Sequence, residues 1–374
     1  MNYRPDRSLT DAPLQTELRS AFEDGETRLS VEAIARAAEL IRAGRLVAFP
    51  TETVYGLGAN ALDAAAVARI YEAKGRPSNN PIIVHVAGVE AAKLLVAKWP
   101  EIADRLAAAF WPGPLTLILP KKDLVADIVT GGGPTVAIRM PAHPVALALL
   151  EASGVPIAAP SANRSTQLSP TTAAHVLQSL EGRVELILDG GPTTGGIEST
   201  VLSLAGEQPQ ILRPGLITGK QIESVIGPIA HVNPGGRPQA ERTNAQSTIQ
   251  HPQSSGPSPE ALPSPGMLER HYAPFAPLEI SNCGDRRVRE LLAEGHNVGW
   301  LTHCYPSEEL RDSPMLEFVQ MPEDAADYAA RMYAELHQLD DLGVSCIVVD
   351  ELPQSDEWIA LRDRLSRAAT PESG

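Results

Sequence analysis

The sequence is poor in cysteine: its 374 residues include three, Cys283, Cys304 and Cys346. No two of them form a C-x-x-C pair, the spacing found in many zinc and redox sites. All three lie late in the chain. These features argue against a disulfide scaffold and a cysteine zinc site, and they favour reduced thiols in a cytosolic protein.

Basic residues are also in deficit, and long apolar runs are absent. Lysine and arginine number 31 against 46 aspartate and glutamate, which gives a formal net charge of −15 at pH 7. Such a charge repels nucleic-acid phosphates, so no stable nucleic-acid binding is expected. No apolar run approaches the ~18 residues of a membrane-spanning helix, and residues 1–27 lack the apolar centre of a signal peptide. The sequence therefore predicts a cytoplasmic protein without a membrane partner.

What is present indicates a globular α/β protein of more than one domain. Hydrophobic residues make up 43% of the chain and aromatic residues only 4%, and the length favours two or three domains. From Pro228 to Pro265 the chain is rich in Pro, Ser, Gln, Gly and Asn, as linkers are. We predict a tail over residues 1–28, a first domain over 29–226, a linker over 227–275 and a second domain over 276–368.

One stretch places polar groups at the end of a buried strand. Residues 46–49 form a short apolar run, and Pro50 ends it because proline cannot donate to a sheet ladder. Thr51, Glu52 and Thr53 follow directly. Ligands of open α/β sheets bind at the carboxyl ends of strands. The two hydroxyls and the carboxylate therefore mark a candidate site.

A helix then returns two cations to the same region. The apolar spacing predicts a helix from about Asp63 to Gly75, and Lys74 and Arg76 lie on either side of that glycine. Taken singly, the threonines could cap a turn and the cations could be a solvated helix end. As a cluster, these residues predict a cradle for a polar small molecule and a polyphosphate.

Three common site motifs are incomplete in this sequence. Residues 56–61 fit the dinucleotide fingerprint G-x-G-x-x-A, but the acidic residue expected about 20 positions on is missing from residues 75–79. Residues 215–220 are one residue short of the P-loop spacing, with Gln221 where magnesium needs Ser or Thr. Ser161 lacks the glycines of a nucleophile elbow. We therefore reject NAD binding, a P-loop and a serine nucleophile.

Further short apolar runs predict the rest of the fold. Two predicted strands end in a cation, Arg139 in one and Arg213 in the other. In the N-terminal tail, the acidic residues of 1–27 argue against a packed strand. The other predicted strands of the first domain are residues 82–86, 115–119, 155–159, 186–188 and 199–201, and its other helices begin near residues 30, 89, 101, 144 and 169. Strands at 297–301 and 346–350, with a helix over 325–339 between them, predict a small parallel α/β domain.

Together, three of these stretches resemble the YrdC/Sua5 family. They are Pro50–Gly58, Lys74–Pro77 with Asn80–Ile82, and Pro160–Asn163. The resemblance extends over about residues 29–226, and residues 276–368 correspond to the additional domain of the long, Sua5-type form. It implies a twisted mixed sheet with helices, plus a smaller Rossmann-like parallel α/β C-terminal domain.

The resemblance also implies an activity. Members of the family are L-threonylcarbamoyladenylate synthases, nucleotidyltransferases that make threonylcarbamoyl-AMP and pyrophosphate from L-threonine, bicarbonate and ATP. The product feeds the downstream t6A transferase machinery, which modifies tRNAs that read ANN codons. A threonine carbamate attacks the α-phosphorus of ATP, so positioning and charge stabilisation suffice without a protein nucleophile.

Site residues follow from the same resemblance. Lys74, Arg76 and Arg139 would be catalytic, with Lys74 facing the phosphates. Threonine would be held by Thr53, His85, Arg139, Ala159 and Ser199. ATP would be held by Arg76, Asn80, Thr135, Ser161, Ser169 and Arg213. Mg²⁺ is expected to accompany ATP without a dedicated protein metal site, because the phosphates supply its ligands.

The segment Ser264–Pro274 resembles the part of the family that follows the linker. It gathers Arg270, His271 and Tyr272 between prolines, which reduce the entropy that the segment loses on docking. We hypothesise that it closes over the nucleotide as a lid that excludes water. The second domain would then anchor the lid.

Two other classes of function were weighed. A carbamoyltransferase can contain the same fold, but this chain lacks the acylphosphatase and zinc-finger modules that accompany it there. An RNA-binding or ribosome-associated module would need a basic stripe, which the charge of −15 disfavours. The synthase is therefore the favoured interpretation.

Overall fold

A computed structural model describes residues 14–24, 27–231, 262 and 272–369. Two sheets organise these residues. The larger has eleven strands in the order β1-β8-β2-β3-β7-β4-β6-β5-β9-β10-β11. They are β1 (Glu17–Ser20), β2 (Val47–Phe49), β3 (Gly56–Asn60), β4 (Ile83–His85), β5 (Leu115–Pro120), β6 (Thr135–Arg139), β7 (Ile157–Ala158), β8 (Leu186–Asp189), β9 (Thr200–Ser203), β10 (Gln210–Arg213) and β11 (Ala230–His231).

Eight helices connect the strands of this sheet in the described part of the chain. They are α1 (Val31–Arg42), α2 (Ala64–Lys74), α3 (Val89–Leu95), α4 (Glu101–Phe110), α5 (Asp127–Thr130), α6 (Pro144–Ser153), α7 (Ala173–Leu180) and α8 (Gly219–Ile226). The sheet is mixed, since β4 runs parallel to β6 and antiparallel to β7. The predicted fold class of the first domain is therefore confirmed.

The smaller sheet has four strands in the order β12-β15-β13-β14, and every pair is parallel. Its strands are β12 (Leu278–Ser281), β13 (Val298–Thr302), β14 (Leu316–Gln320) and β15 (Cys346–Asp350). Its helices are α9 (Gly284–Ala293), α10 (Glu308–Arg311), α11 (Ala325–Asp341), a 3₁₀ turn (Asp356–Trp358) and α12 (Ile359–Ala368). This confirms the predicted small parallel α/β domain.

The helix that leads to the candidate site is bounded as its sequence predicts. The Asp63 carboxylate caps the first turn of α2 by accepting from the N–H groups of Ala65 and Ala66. Gly75 ends the helix with φ +62°, a conformation that glycine adopts without a Cβ penalty. Lys74 and Arg76 are therefore both buried at the end of this helix.

The prediction that residues 1–27 contain no packed strand is wrong for residues 17–20. They form β1, an edge strand that runs parallel to β8. The Arg19 guanidinium pairs with Glu17 and also lies 3.0 Å from Glu32. An edge strand leaves one side open to water, so charged side chains do not prevent it from pairing. Residues 1–13 and 25–26 lie outside the described residues.

The two sheets do not have fully separate cores. A buried apolar cluster built mostly from the second domain also includes Val54, Leu168 and Ile197 of the first. Helix α11 approaches so closely that a Cβ at Gly196 would lie 2.0 Å from the carbonyl oxygen of Ala329. The second domain is therefore docked directly on the first. Within the described residues, no helix has the length and apolarity to cross a membrane.

Candidate functional site

A cavity opens where several strands of the large sheet end. It encloses about 540 Å³, including its mouth. Parallel pairing of β4 with β6 sets His85 beside Arg139, and the segments after β2 and β7 and around β9 and β10 complete the wall. Nine of the residues predicted from the sequence line it: Thr53, Arg76, His85, Arg139, Ala159, Ser161, Ser199, Arg213 and Tyr272.

Arg139 is held at one end of the cavity by a network of polar groups. Its Nη1 donates to Thr53 Oγ1 at 2.9 Å and its Nε donates to the Gly113 carbonyl at 3.2 Å. Its Nη2 lies 2.6 Å from Glu52 Oε1 as an ion pair. The Thr53 hydroxyl also shares a hydrogen bond of 2.8 Å with Thr51. Glu52 is therefore the charge partner of the arginine, a role that the resemblance did not assign to it.

His85 is a neutral group at this end of the cavity. It is 3% exposed. Burial, together with the nearby charge of Arg139, lowers the pKa of His85 to about 3. Its Nδ1 is buried and has no hydrogen-bond partner among the described residues. A buried ring nitrogen normally has a partner, so it is available to a ligand hydroxyl or amine.

Arg76 and Arg213 supply positive charge elsewhere in the cavity. Arg76 donates to Asn80 O at 3.2 Å, to Asn80 Oδ1 at 2.5 Å and to Pro81 O at 2.9 Å. Arg213 donates to Ser199 O through Nε at 3.2 Å and Nη2 at 3.0 Å, and to Ser199 Oγ at 3.2 Å. All of these acceptors are uncharged. The guanidinium groups are thus oriented by the protein without being neutralised.

No carboxylate of the described residues lies within ion-pair distance of Arg76 or Arg213. Burial lowers the pKa of Arg76 to about 10, with Arg213 acting in the same direction. Arg76 therefore stays charged near neutral pH. Two buried guanidinium groups without a protein counter-ion form an anion-binding arrangement, and guanidinium geometry suits phosphate in particular.

The structure does not place Lys74 in the cavity wall, contrary to the expectation that it faces the phosphates. Its Nζ donates to the Ser161 carbonyl at 2.6 Å, to the Asn163 carbonyl, and to Asn163 Oδ1 at 3.2 Å. Burial, and secondarily the charge of Arg76, lowers the pKa of Lys74. Lys74 thus organises the loop that carries Ser161.

Three other predicted ATP residues lie behind the wall or away from it. The Oδ1 of Asn80 holds Arg76, while its Nδ2 has no hydrogen-bond partner in the described part of the chain. Ser169 Oγ donates to Glu198 Oε1 at 2.5 Å. Thr135 begins β6, four residues before Arg139, so the two Cα atoms lie ~13 Å apart along the strand. Thr135 does not line the cavity.

The three lid residues divide between described and undescribed parts of the chain. Tyr272 lines the cavity and is buried. Ala159 lines it as well, although its N–H already donates to the Ile83 carbonyl at 2.9 Å. Arg270 and His271 lie outside the described residues, so the lid hypothesis stays a prediction.

Sequence reasoning missed the carboxylate in the wall. Glu198 is 6% exposed and lines the cavity. It accepts from Ser169, from Arg364 Nε at 2.7 Å and from the Tyr333 hydroxyl at 3.4 Å. Arg364 and Tyr333 belong to the second domain and lie at least 135 residues away. No local pattern signals such a pairing.

Comparison with known families divides the chain into two parts. A family model described as "Telomere recombination", named Sua5_yciO_yrdC, matches residues 39–215. A second, described as "Threonylcarbamoyl-AMP synthase, C-terminal domain", matches residues 217–370. The two models together cover both sheets except for β1.

Curated relatives match over nearly their whole length. A threonylcarbamoyl-AMP synthase of Bacillus subtilis is 47% identical over 344 residues, covering 90% of this chain and 92% of the relative. One of Pyrococcus abyssi is 42% identical over 351 residues, covering 91% and 95%. A crystal structure of P. abyssi Sua5 complexed with L-threonine superposes with a TM-score of 0.77 at 40% identity, covering 95% of this chain and 97% of that one.

Proposed function

The chain belongs to the Sua5 family of threonylcarbamoyl-AMP synthases, and on that premise we propose how its cavity makes threonylcarbamoyl-AMP from L-threonine, bicarbonate and ATP. It is an enzyme that uses ATP and transfers an adenylyl group. The observation that carries the proposal is one cavity lined by Arg76, Arg139 and Arg213, of which only Arg139 has a carboxylate partner among the described residues.

Threonine occupies the end of the cavity around Thr53, His85 and Arg139. Arg139 meets the anionic carboxylate, or the carbamate once it has formed. Thr53 and the neutral His85 offer hydrogen bonds to the substrate hydroxyl, and Nδ1 of His85 has no hydrogen-bond partner among the described residues. The crystal structure of P. abyssi Sua5 complexed with L-threonine supports threonine as a ligand of this fold.

The reaction needs two bond-forming steps. The threonine amine nitrogen first bonds to the carbon of bicarbonate. Water leaves, and a carbamate results. A carbamate oxygen then bonds to the α-phosphorus of ATP, and the bond to the leaving pyrophosphate breaks. Ser161 is not an activated nucleophile, because its hydroxyl donates to Asn163 Oδ1 at 2.6 Å. Positioning and charge therefore carry the chemistry.

Arg76 and Arg213 hold the phosphates in this proposal. Negative charge grows on the leaving pyrophosphate as the bond to the α-phosphorus breaks. Two guanidinium groups that are already oriented by neutral acceptors need little reorganisation to stabilise it. Asn80 contributes indirectly by fixing Arg76.

Mg²⁺ is proposed to enter with ATP. The described residues hold no group of three His, Cys, Asp or Glu side chains that could bind a metal ion. The one carboxylate in the lining, Glu198, is already engaged by three donors. Phosphate oxygens and water would therefore supply the Mg²⁺ ligands. The ion would neutralise part of the phosphate charge.

The product is a mixed anhydride that water hydrolyses readily. We infer that the downstream t6A transferase machinery takes it from this enzyme and moves the threonylcarbamoyl group to tRNA. Tyr272, buried in the cavity wall, supports the hypothesis that the segment containing Arg270 and His271 shields the product.

The test is incubation of the full chain with ATP, bicarbonate and labelled threonine. Pyrophosphate and a labelled adenylate should form in equal amounts. Parallel reactions that each lack one substrate serve as controls and should release no pyrophosphate. Pyrophosphate release without threonine and bicarbonate would overturn the proposed reaction, and omission of Mg²⁺ tests the metal separately.

A further inference from the structure

One side chain of the second domain reaches the wall of the cavity in the first. Arg364 on α12 is fully buried, and its Nε donates to Glu198 Oε2 at 2.7 Å. Its Nη2 donates to the Pro214 carbonyl at 3.0 Å. Its guanidinium carbon lies 5.2 Å from the centre of the Tyr272 ring. Arg364 therefore contacts two lining residues and the neighbour of a third, Arg213.

These contacts join the two strands that present Ser199 and Arg213. Glu198 and Ser199 precede β9, while Arg213 ends β10, the antiparallel neighbour of β9. A Cβ at Gly215 would lie 2.3 Å from the Thr200 N–H nitrogen, so the two segments meet without space for a side chain. Arg364 bonds to both segments at once and thereby fixes the positions from which Ser199 and Arg213 enter the cavity.

The charges around Arg364 alternate in sign. Glu198 is paired with Arg364, Arg364 Nη1 lies 2.7 Å from Asp363, and Asp363 lies 3.1 Å from Arg367. The four charges sum to zero. Arg213 is close enough that its charge also favours the ionised form of Glu198. With Arg364 in place, Glu198 is neutralised by a cation of the second domain.

From this geometry we propose, resting on the proposed function, that Arg364 is a positioning residue which neutralises Glu198 and so leaves the charge of Arg213 available to the phosphates of ATP. Without Arg364, Glu198 would be a buried carboxylate whose remaining partners, Ser169 and Tyr333, are uncharged. Arg213 would then become its counter-ion, because an unpaired buried charge is strongly unfavourable. Arg213 would remain in the cavity, but its charge would no longer be available to bind ATP.

The test measures ATP and L-threonine binding by calorimetry on the full chain, its R364M variant and the double variant E198Q/R364M. R364M should weaken ATP binding at least about tenfold and leave threonine binding within about twofold. Removing the stranded carboxylate should reverse the defect, so E198Q/R364M should bind ATP within about threefold of the unmodified chain. A merely structural role for Arg364 would not be rescued by E198Q.

A matched control removes another ion pair between the domains. Lys220 Nζ lies 2.7 Å from Asp356, and neither residue lines the cavity. K220M should therefore leave ATP binding unchanged. R364K keeps a positive charge beside Glu198 but loses the guanidinium geometry, so it should bind ATP within about tenfold of the unmodified chain even if R364M does not fold.

The outcomes separate this inference from the proposed function. If the unmodified chain bound no ATP, the proposed function would fail. If it bound ATP and R364M bound it equally well, the inference alone would be overturned. The inference would also be overturned if E198Q/R364M bound ATP as weakly as R364M does. An R364K variant whose ATP affinity was reduced more than about tenfold from that of the unmodified chain would overturn it too.

Discussion

Arg76 carries the clearest prediction for a single side chain. It is buried, and its partners are a side-chain amide and two carbonyls, so its charge is free to act on an anion. Changing Arg76 to Ala should weaken ATP binding by ~30-fold, or ~2 kcal/mol, because charge-assisted hydrogen bonds to phosphate are lost. Threonine binding should change little. Calorimetric titrations with each ligand measure both effects.

The control for that variant is Arg36→Ala. Arg36 lies on α1, is 45% exposed and has only loose ion pairs of 3.7 and 3.9 Å. Its loss should leave ATP affinity unaltered, because long surface ion pairs contribute little. Equal ATP affinity for the Arg76 variant and the unmodified chain would exclude Arg76 from the phosphate site.

The threonine end predicts discrimination against valine. Valine has the shape of threonine without its hydroxyl, so it leaves polar groups such as His85 Nδ1 unpaired in a buried site. The ratio of kcat/KM for threonine to that for valine should be at least about 100. His85→Phe should reduce this preference, since Phe fills the ring space beside Phe49 but cannot hydrogen-bond. Equal kcat/KM values in the unmodified enzyme would contradict this assignment.

At the scale of elements, α7 and α11 meet through two stacked histidines. The rings of His175 and His337 are 3.9 Å apart at 19°. Burial, and then His337, lowers the pKa of His175 to about 4, and burial likewise lowers that of His337. The groups facing them include Asp341 and Asp340, whose charges act in the opposite direction. Both rings are therefore neutral in the folded protein at pH 7.

This stack predicts acid sensitivity. Below the ordinary histidine pKa of 6.5 the unfolded chain binds protons that the folded chain does not, until the pH approaches 4. Stability should therefore fall as the pH drops from 6.5 towards 4. Between pH 7 and pH 5 the Tm of both proteins should fall. The fall should be smaller by at least about 3 °C in the double variant H175Q/H337Q than in the unmodified chain. Thermal unfolding followed by circular dichroism checks this, and parallel Tm curves would contradict it.

Elements with a strong local signal could be predicted from the sequence. Helices α3 and α4 begin at Val89 and Glu101, as predicted, because their apolar spacing is helical, although neither has a side-chain hydrogen bond at its N-cap. β1 could not be predicted, because its pairing with β8 involves residues about 170 positions away and its exposed side carries charge. Helix α8 was not predicted, because its first residue, Gly219, belongs to the glycine-containing stretch 215–220 that is close to a P-loop spacing.

Site residues at the ends of strands could be predicted from the sequence. The position of a side chain at the end of a helix could not. Thr53, His85, Arg139 and Arg213 follow or end strands, and all four line the cavity. Lys74 belongs to the same motif as Arg76, yet it is turned towards the loop at Asn163. Which way a helix-end lysine points depends on carbonyls about 90 residues away, and no local pattern records them.

At the scale of the whole molecule, the second domain packs on residues of the first that surround the cavity. It covers Val54 and Ile197 and supplies Arg364 to Glu198. Cutting the chain after Ile226 should therefore expose apolar surface and leave Glu198 without Arg364, the cation that neutralises it. Adenylate formation by fragment 1–226 should fall at least tenfold, by ~1.4 kcal/mol or more in ATP binding alone.

The fragment is compared with the full chain and with K220M, whose altered contact also lies between the domains. A coupled pyrophosphate assay at several ATP concentrations shows whether the loss is in KM for ATP. A fragment as active as the full chain would show that the second domain has no part in the synthase site.

The apolar cluster shared by the two sheets has a consequence for how the protein melts. Two domains that each contain their own sheet would ordinarily unfold in two calorimetric transitions. Here Val54, Leu168 and Ile197 belong to the same cluster as Tyr333 and Leu336 of α11. Neither sheet can lose its structure without uncovering the other. Differential scanning calorimetry should therefore show one cooperative transition, and the chain should behave as a single thermodynamic unit despite its two sheets.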